Sequence, residues 1–455
     1  MAKTPRARTP TAKPATRVQV QLCFALDRRG QQVAPRLVGT LALQRGRPVF
    51  FYDPAYLAAP LPLSPVQLPP ESRGFQHDDP TFDRLPGLLA DALPDGWGRL
   101  LQDRAFRRAG WSLETITPLD RLVVVGHAAM GALVFEPAAP LQLPSVAAGP
   151  PEFDLGAVSA QAERIHEGSQ EDILDALMLT GGSPGGARPK AVIGLKDTAA
   201  GPSLIAGVTT DLVRGTQLAL PDDYEAWLVK FAGLDDRRLF GDDVGLVEAA
   251  YAVMAGRAGI AMPPTRVLTD AAGQRHFAVQ RFDRFGPGGR GRVHMHTAGG
   301  LLHASHRLPS LDYEQLFQLT WHLTRSYVHV REMFRRMVFN VLAYNRDDHA
   351  KNFAFLMEAD GSWHLAPAYD LMYSPGINGW HTTAIAGVGD DPTLSGMRKV
   401  GRNASLETAH IEEDLTRVRD AVAAFSTIAS DVGCGAATIA QLQARFDEVA
   451  RRAAK

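Results

Sequence analysis

The chain lacks several features that would each point to a class of protein. Its 455 residues include two cysteines, Cys23 and Cys434, which lie far apart and form no CxxC pair, so no disulfide framework is expected and a reducing cytoplasm suits the chain. No run of 18 apolar residues predicts a transmembrane helix, and the first residues have no apolar stretch typical of a signal peptide. The formal net charge is −1, which gives no overall attraction to nucleic acid or to an anionic membrane. We therefore expect a cytoplasmic protein with no membrane partner.

The most informative stretch is 345–353, NRDDHAKNF, which is followed by 367–370, PAYD. Protein kinases carry a base aspartate in an R-D-x-x-x-x-N loop, and they use the asparagine and a later aspartate to hold magnesium against ATP. Asp347, Asn352 and Asp370 stand at these spacings. For the loop alone, an ordinary polar turn is the alternative, because Asp, Asn and His are common in turns.

The sequence on either side of this stretch supports a loop in that place. Apolar residues recur there at steps of three and four, which predicts a core helix over 328–344 that ends at the motif. After the motif, 353–357 and 363–366 favour a hairpin. Such a hairpin would bring Asp370 back beside Asn352.

A glycine-rich stretch precedes a predicted strand at 191–195. Residues 181–190, GGSPGGARPK, begin with four glycines in six residues, so their backbone N–H groups could approach phosphates closely. No Gly-Lys-Ser or Gly-Lys-Thr closes the stretch, which excludes a Walker A loop. A flexible turn and a lid over a nucleotide are both consistent with this pattern.

A lysine and a glutamate each stand inside an apolar pattern. Lys230 lies in a predicted strand over 224–231, and Glu248 lies in a predicted helix that Asp243 would cap. Burying either charge alone is costly, whereas one ion pair would satisfy both and point the lysine at ATP phosphates. The alternative is that both side chains reach outward to solvent.

Four histidines form H-x-H and H-x-x-H pairs: His294, His296, His303 and His306. These pairs lack a third defined ligand. We therefore expect polar loop histidines and not a zinc site.

Taken together, the motifs resemble the HipA-like serine/threonine kinases, the toxins of bacterial type II toxin–antitoxin pairs. The resemblance covers most of the chain, and its most specific elements are SPGGARPK at 183–190, VQRFDR at 279–284, DDHAKNF at 347–353 and PAYD at 367–370. It implies an α+β, bilobal protein-kinase-like (HipA-like) fold with an N-terminal β-rich subdomain and a helical C-terminal lobe.

The resemblance and the strand and helix patterns together give predicted domain bounds. Residues 1–16, basic and rich in Pro and Thr, are expected to be a disordered tail. A β-rich subdomain is expected over 17–140, followed by a linker rich in Pro and Ala near 137–151. The catalytic region would span 151–455, with its nucleotide-binding part at 151–285 and its mainly helical lobe at 286–455.

Roles for individual residues also follow from the resemblance. Asp347 would be the catalytic aspartate, and Asn352 and Asp370 would bind Mg²⁺. Ser183 would be autophosphorylated, a step that expels the glycine-rich loop and switches the activity off. The residues expected to bind ATP or its phosphates are Lys230, Glu248, Ser183, Gly185, Gly186, Lys190, Arg281, His349 and Lys351.

The predicted function is therefore an ATP- and Mg²⁺-dependent serine/threonine protein kinase that acts as the toxin of a type II pair. By the same resemblance, the target would be a translation component such as an aminoacyl-tRNA synthetase, and the partner a HipB-like helix-turn-helix antitoxin through which DNA is contacted only indirectly. Two positions depart from the family pattern. Asp348 stands where glycine is common and could add a metal contact or shift substrate choice, and Gln280 stands where glutamate is common.

Three other functions remain open from the sequence. A small-molecule phosphotransferase uses the same order of aspartate, asparagine and aspartate. An antitoxin- or DNA-binding subunit with little catalysis would need a basic face and would not bind ATP. A nuclease could hold metal through Asp347, Asp348, Asp370 and His349, but it would leave the lysine–glutamate pair and the glycine-rich stretch without a role.

Overall fold

The computed structural model describes residues 14–138, 153–168, 186, 188–207, 209–211, 216–218 and 220–454. Residues 1–13, most of the expected linker, a helix expected at 172–180, and both Ser183 and Gly185 lie outside these ranges. Residues 14–16 belong to the folded part, since Ala15 is buried and its N–H donates to Asp120 at 2.6 Å.

The N-terminal subdomain is built on a five-stranded antiparallel sheet. In spatial order its strands are Gly74–Phe75, Arg47–Tyr52, Arg36–Gln44, Arg17–Leu22 and Leu133–Pro137. Along Arg17–Leu22 every second side chain is buried, as expected for a sheet with one covered face. Helices Gly87–Ala90 and Pro118–Val125 contribute leucines and valines to the core on that face, while Gly96–Arg108 begins after Asp95 and packs towards the second domain through Trp97.

A second five-stranded antiparallel sheet, the central sheet, lies within the region 151–285 for which nucleotide binding is predicted. Its spatial order is Thr265–Thr269, Arg275–Gln280, Glu225–Lys230, Lys190–Thr198 and Gly201–Ala206. Helix Val244–Arg257 covers one face and Leu155–His166 the other. Burial on both faces explains why Glu225–Lys230, EAWLVK, reads as a nearly continuous apolar run.

The C-terminal lobe is helical and packs around Tyr327–Leu342. That helix buries residues at steps of three and four, among them Val330, Met333, Phe334 and Met337. The other long elements of the lobe are Tyr313–Thr324, Leu394–Asn403, Thr408–Ala423, Phe425–Asp431 and Ala436–Ala453, with a small sheet of His294–Thr297, Ala354–Met357 and Trp363–Leu365.

Short elements connect these layers. The short helices are Pro54–Leu57, Leu234–Phe240 and Ala298–Leu302, and the single 3₁₀ turns are Pro80–Phe82, Leu113–Thr115, Gly126–Ala128, Gly241–Asp243, Pro287–Gly289 and Ala350–Asn352. The short strands are Ala25–Leu26, Gln32–Val33, Thr209–Asp211, Thr216–Leu218, Arg284–Phe285, Gly291–Arg292, Leu311–Asp312 and Thr383–Ala384. Within the described ranges, no helix combines the length and apolarity needed to cross a bilayer.

The helix predicted over 328–344 and the hairpin after it are confirmed, with bounds that differ by one to two residues. One expectation about a helix end is wrong. Asp243 occupies the N-cap position of Val244–Arg257, but its carboxylate accepts from Gly435 N at 2.9 Å and Thr438 Oγ1 at 2.7 Å. It therefore caps the distant helix Ala436–Ala453.

Candidate active site

A cleft lies where the N-terminal subdomain, the central sheet and the helical lobe meet. It has about 1290 Å³ of empty volume, including a part open to solvent. One wall is apolar and includes Leu228, Phe277 and Val279. The residues predicted from the sequence that line the cleft are Gly186, Lys190, Lys230, Glu248, Arg281, His349, Lys351, Asn352 and Asp370.

Lys230 joins two carboxylates at the base of the cleft. It is the last residue of its strand, and its Nζ donates to Glu248 Oε1 on the helix behind the sheet and to Asp370 Oδ1 from the other lobe. Burial alone would lower the pKa of Lys230, but Asp370 and Glu248 outweigh that effect and raise the pKa above its usual value. The lysine–glutamate pair expected from the sequence is therefore present, and it has a third member.

Asp370 is held in an unusual backbone conformation. Its φ of 54° lies in the left-handed region, which costs free energy for a residue with a side chain and is found where function or local contacts hold it. Burial alone would raise the pKa of Asp370, but the ammonium groups of Lys230 and Lys190 hold the pKa well below its usual range. Its side chain is 34% exposed, so an ionised carboxylate faces the open cleft.

Asp347 stands exposed beside the cleft, at the end of helix Tyr327–Leu342. The backbone carbonyl of Asp347 accepts from Asn352 Nδ2 at 2.7 Å, which closes the loop between them. Desolvation by the surrounding protein and the nearby Asp370 carboxylate raise the pKa of Asp347, although His349 acts in the opposite direction. The loop thus presents its carboxylate outward and turns its asparagine back to the cleft.

Two oxygen-bearing side chains in this arrangement suit a magnesium ion. Because Asn352 uses its amide nitrogen on the Asp347 carbonyl, its amide oxygen is left for another partner, and Asp370 supplies a carboxylate kept in its ionised form. Mg²⁺ commonly takes one or two such protein ligands and completes its shell with water and phosphate oxygens. Over the described ranges no group of three or more His, Cys, Asp or Glu side chains could form a metal cage.

Asp95 connects the glycine-rich stretch to the loop after Asp347, and sequence reasoning gave it no role. Its carboxylate accepts from Gly186 N and from Lys351 Nζ, the latter at 3.1 Å. Burial alone would raise the pKa of Asp95, but Lys351 and the Gly186 N–H lower it to about 2. Gly186 has a φ of 102°, a backbone conformation that favours glycine.

Arg188 is a second residue that sequence reasoning left without a role, although it lies inside the quoted SPGGARPK motif. Its guanidinium pairs with Asp236 at 2.9 Å and lies 3.7 Å from Glu248. Lys190 is paired in register with Lys230 on the neighbouring strand, and burial lowers the pKa of Lys190. Three cationic side chains, those of Arg188, Lys190 and Lys230, therefore lie near the Glu248 and Asp370 carboxylates.

Arg281 lines the cleft, but its guanidinium is committed to a buried ionic group that we call the joint cluster, formed by Arg281, Asp283 and Arg284. Asp283 is fully buried and accepts from Arg281 at 2.8 and 3.0 Å, from Arg284 at 2.6 Å and from Gly131 N at 2.7 Å. Burial would raise the pKa of Asp283, but the two guanidinium groups hold it far below its usual range. Since Gly131 belongs to the N-terminal subdomain, the cluster fastens that subdomain to the central sheet.

Asp348 does not make the metal contact considered for it, because its carboxylate is buried outside the cleft. It is fully buried and accepts from Tyr313 Oη at 3.1 Å, from His381 Nδ1 at 3.0 Å and from Thr382 N at 2.8 Å. This set of partners makes it a structural acceptor behind the loop. The metal contact proposed for Asp348 is therefore wrong, and the nuclease alternative loses one of its four ligands.

The four histidines are not all loop residues, contrary to expectation. His294 and His296 lie on a buried strand, where His296 contacts Asp91 at 2.6 Å and Ser64 at 3.0 Å. The order Ser64, His296, Asp91 matches a hydrolase triad, but Ser64 is buried and no substrate could reach it. Burial lowers the pKa of His294 to about 3. These residues pack the interface between the subdomains.

His349 Nδ1 is buried and has no hydrogen-bond partner among the described residues. The His349 ring lies against the His306 ring, with centroids 5.9 Å apart, and both rings are near the Asp95–Lys351 pair. A buried ring nitrogen without a partner costs free energy, which a ligand in the cleft would recover.

Comparison with known proteins places the chain in a family. The HipA-like C-terminal domain matches residues 182–451, and the HipA N-terminal domain matches residues 33–136. Because the first match alone covers more than half of the chain, the protein belongs to the HipA-like family, and the family prediction is confirmed.

Individual relatives are more distant. A curated protein of Sinorhizobium fredii with the name "Putative kinase Y4dM" is 27% identical over 241 residues, which is 50% of this chain and 54% of the relative; the match thus spans about half of the relative's length. A chain of the Shewanella oneidensis MR-1 toxin–antitoxin complex of HipA, HipB and operator DNA superposes with a TM-score of 0.62 at 17% identity, covering 92% of this chain and 95% of that one. This likeness confirms the predicted fold. The Helicobacter pylori kinase CtkA matches with a TM-score of 0.32 at 12% identity, covering 51% of this chain and 90% of that one, a value too low to support an argument.

Proposed function

We propose that the protein is a serine/threonine protein kinase that uses ATP and Mg²⁺. The observation that carries the proposal is the contact of one buried lysine, Lys230, with both Glu248 and Asp370. In protein kinases a lysine held by a helix glutamate contacts nucleotide phosphates, and a nearby aspartate holds the metal ions. Asp347, next to these groups, supplies the carboxylate for the acceptor hydroxyl.

Different residues of the cleft would contact the purine ring and the phosphates of the nucleotide. Leu228, Phe277 and Val279 form a flat apolar wall that suits a purine ring. Lys190 and Lys230 are paired in register on neighbouring strands at one end of this wall, with Lys230 Nζ 5.7 Å from the centre of the Phe277 ring, and there they would contact the phosphates. Their combined charge explains why Asp370 is held ionised, and ATP would bring new anionic partners for both lysines.

The reaction follows from the position of Asp347. The serine or threonine oxygen forms a bond to the γ-phosphorus of ATP as the bond to the β–γ bridging oxygen breaks and ADP leaves, and Asp347 accepts or orients the proton of that hydroxyl. A raised pKa suits this role, because a base with a pKa nearer to neutrality accepts a proton more readily. Mg²⁺, when held by Asn352 and Asp370, supplies neutralisation of phosphate charge.

Ser183 is the proposed site of autophosphorylation, by resemblance to the family motif that contains it. It lies outside the described residues, three positions before Gly186, whose N–H donates to Asp95. A phosphate adds close to two negative charges. That charge near the Asp95 carboxylate would oppose the contact between Gly186 and Asp95, and activity would fall.

The proposed biological setting is a toxin–antitoxin pair in the cytoplasm. The fold is that of a chain from a HipA, HipB and operator DNA complex, which supports a HipB-like antitoxin as partner and contact with DNA through that partner. A translation component such as an aminoacyl-tRNA synthetase is the proposed target, and this part rests on family resemblance alone.

Intact mass measured before and after incubation with Mg²⁺-ATP tests the proposal. The expected result is a gain of one phosphate in the wild type, none in Asp347→Asn, and none in Ser183→Ala if that serine is the acceptor. The matched control, Asp235→Asn, changes an exposed aspartate on helix Leu234–Phe240 and should gain phosphate like the wild type. The proposal would be overturned if the wild type showed no mass gain and also did not bind ATP.

A further inference from the structure

A segment of the helical lobe, residues 374–389, wraps around the catalytic loop on both sides of Asp347; we call it the clasp loop. Before Asp347, Arg346 N donates to Ser374 O at 3.1 Å. After it, Asp348 accepts from His381 Nδ1 at 3.0 Å and from Thr382 N at 2.8 Å. The clasp loop is therefore fixed to the same backbone that presents the proposed catalytic carboxylate.

The clasp loop folds into two tight reverse turns. Trp380 N donates to Ile377 O at 3.1 Å in the first, and Ile385 and Val388 exchange backbone hydrogen bonds of 2.8 and 3.0 Å in the second. Asn378, with a φ of 56°, gives the first turn the left-handed conformation that such turns require. The second turn is also anchored by the side chain of Ile385, which is buried in the core of the helical lobe.

These turns expose large apolar side chains where polar residues are usual. Ile377 is 67% exposed, Trp380 50% and Val388 41%. An exposed apolar cluster on an otherwise ordinary surface marks an interaction site more often than chance placement does. The Trp380 ring also packs against Gly389, where a Cβ atom would stand 2.8 Å from the ring, which keeps the tryptophan beside the second turn.

The cluster lies close to Asp347. Gly376 sits between the Arg346 side chain and the Trp380 carbonyl, with no room for a Cβ atom towards either of them. Trp380 is therefore on the order of 10 Å from Asp347, a distance that about three residues of extended peptide span. A polypeptide with its hydroxyl at Asp347 would place residues near the acceptor on this cluster.

The charge of the clasp loop selects among possible substrates. Residues 374–389 contain no Asp, Glu, Lys or Arg, and its histidine, His381, is buried against Asp348. Arg346 lies beside Gly376 and Gly379, but it is buried and pairs with Asp391 at 3.7 Å. The exposed side chains of the clasp loop itself therefore offer no positive charge to a phosphorylated metabolite, a sugar acid or a nucleic acid. An uncharged, apolar side chain would find a matching surface.

We propose that Ile377, Trp380 and Val388 form a docking surface for an apolar side chain located within about three residues of the phosphorylated serine or threonine of a protein substrate. The inference rests on the proposed kinase function and deepens it, because it assigns the substrate to polypeptides and not to small molecules. Ile377 and Trp380 are then residues that determine specificity by contacting substrate.

The test is phosphorylation of a peptide library with a fixed Ser or Thr and one varied position at a time. Wild-type protein should favour Ile, Leu, Val or Phe at one or two positions near the acceptor. For the best such peptide, Trp380→Ala should lower kcat/KM by about 10- to 100-fold, the range for losing one apolar contact in a specificity pocket, and mainly by raising KM. Trp380→Phe should restore most of the loss.

An exposed apolar residue far from the catalytic loop provides the matched control. Val328→Ser changes an even more exposed apolar residue, at 71%, in the first turn of helix Tyr327–Leu342, about 20 Å of helix away from the catalytic loop. Its peptide kinetics should equal those of the wild type. Thermal unfolding of Trp380→Ala should match the wild type, since its side chain is half exposed.

The remaining outcomes overturn the inference in distinguishable ways. Activity on peptides without apolar preference, or a preference that survives Trp380→Ala, would remove the docking surface and leave the kinase proposal standing. The same holds if the protein phosphorylates itself but no peptide, or if light scattering finds a dimer that Trp380→Ala dissociates, which would assign the surface to a second copy. No ATP-dependent mass gain and no ATP binding would overturn the kinase proposal and this inference together.

Discussion

Two buried ionic clusters in this protein use the same chemistry to different ends. The joint cluster surrounds Asp283 with two guanidinium groups and a backbone N–H, and no solvent reaches its carboxylate. The second, which we call the cleft cluster, consists of Lys230, Glu248 and Asp370, and its Asp370 keeps a third of its surface exposed in a strained backbone conformation.

The difference shows how buried charges that only stabilise the fold can be distinguished from those that can bind a ligand. In the joint cluster every strong acceptor position of Asp283 is filled, so a ligand would gain nothing there. In the cleft cluster the ammonium of Lys230 contacts two carboxylates. An anion that enters the cleft could therefore bind this ammonium, and a cation could bind the partly exposed Asp370 carboxylate. Strongly shifted pKa values occur in both, so such shifts alone do not identify an active site.

The largest expected effect concerns the carboxylate next to the cleft cluster. Asp347→Asn should lower the rate of phosphate transfer by roughly two to four orders of magnitude, because it removes a general base and little else. ATP binding and the unfolding midpoint should stay close to wild type, since the side chain is exposed. Steady-state kinetics beside equilibrium unfolding measure both, and a variant that is fully active would remove Asp347 from its assigned role.

The next largest effect is a loss of stability when the joint cluster is broken. Asp283→Ala leaves two buried guanidinium groups without their carboxylate, which should lower the free energy of unfolding by about 3–5 kcal/mol. The control is Asp78→Ala, which breaks an exposed pair with Arg47 and should cost less than about 1 kcal/mol. Urea unfolding of both variants decides the point, and equal losses would contradict the structural role of the joint cluster.

A smaller, pH-dependent effect is expected at Asp95, between the two clusters. A carboxyl group whose pKa is lowered by folding stabilises the protein above its unfolded pKa, near 3.9, and loses that contribution as the pH falls through the folded value. With a folded pKa of about 2, Asp95→Asn should be less stable than wild type by about 2 kcal/mol at pH 7. The gap should close as the pH falls from about 4 towards 2. A gap that is constant with pH would show that the charge of Asp95 is not what stabilises the fold.

The smallest effect on stability is expected in the cleft cluster itself. Asp370→Asn removes a carboxylate that is partly exposed, and Lys230 keeps Glu248 as its partner. The free energy of unfolding should fall by less than in Asp283→Ala, because solvent reaches the Asp370 carboxylate and screens its pair with Lys230. Unfolding in urea, run beside Asp283→Ala, measures the contrast directly; a loss as large as that of Asp283→Ala would erase the distinction between the clusters.

The sequence predicted the parts of the site that depend on local pattern. The helix before the catalytic loop followed from apolar periodicity, and the contact between Lys230 and Glu248 followed from two charges that had no other partner in their own elements. The family motifs led to the fold. What these features share is that a short window of sequence contains the reason for them.

The rest depends on contacts between distant segments. Asp283 meets Gly131, and Asp95 meets Gly186 and Lys351, and no local pattern records such pairs. Asp348 was misjudged because spacing along a loop does not tell which of two adjacent aspartates faces the core. Asp243 was misjudged because a residue at one helix N-terminus can turn its carboxylate to another helix. The domain bounds and the individual site roles stay predictions.

Calorimetric titration of ATP into the wild type and into Asp370→Asn, each with and without Mg²⁺, tests the central claim most directly. The account predicts that Mg²⁺ strengthens ATP binding to the wild type, and that Asp370→Asn, although folded, loses most of this Mg²⁺ dependence. Absence of ATP binding to the wild type, or the same Mg²⁺ dependence in both proteins, would contradict the claim that the cleft cluster is a nucleotide and metal site.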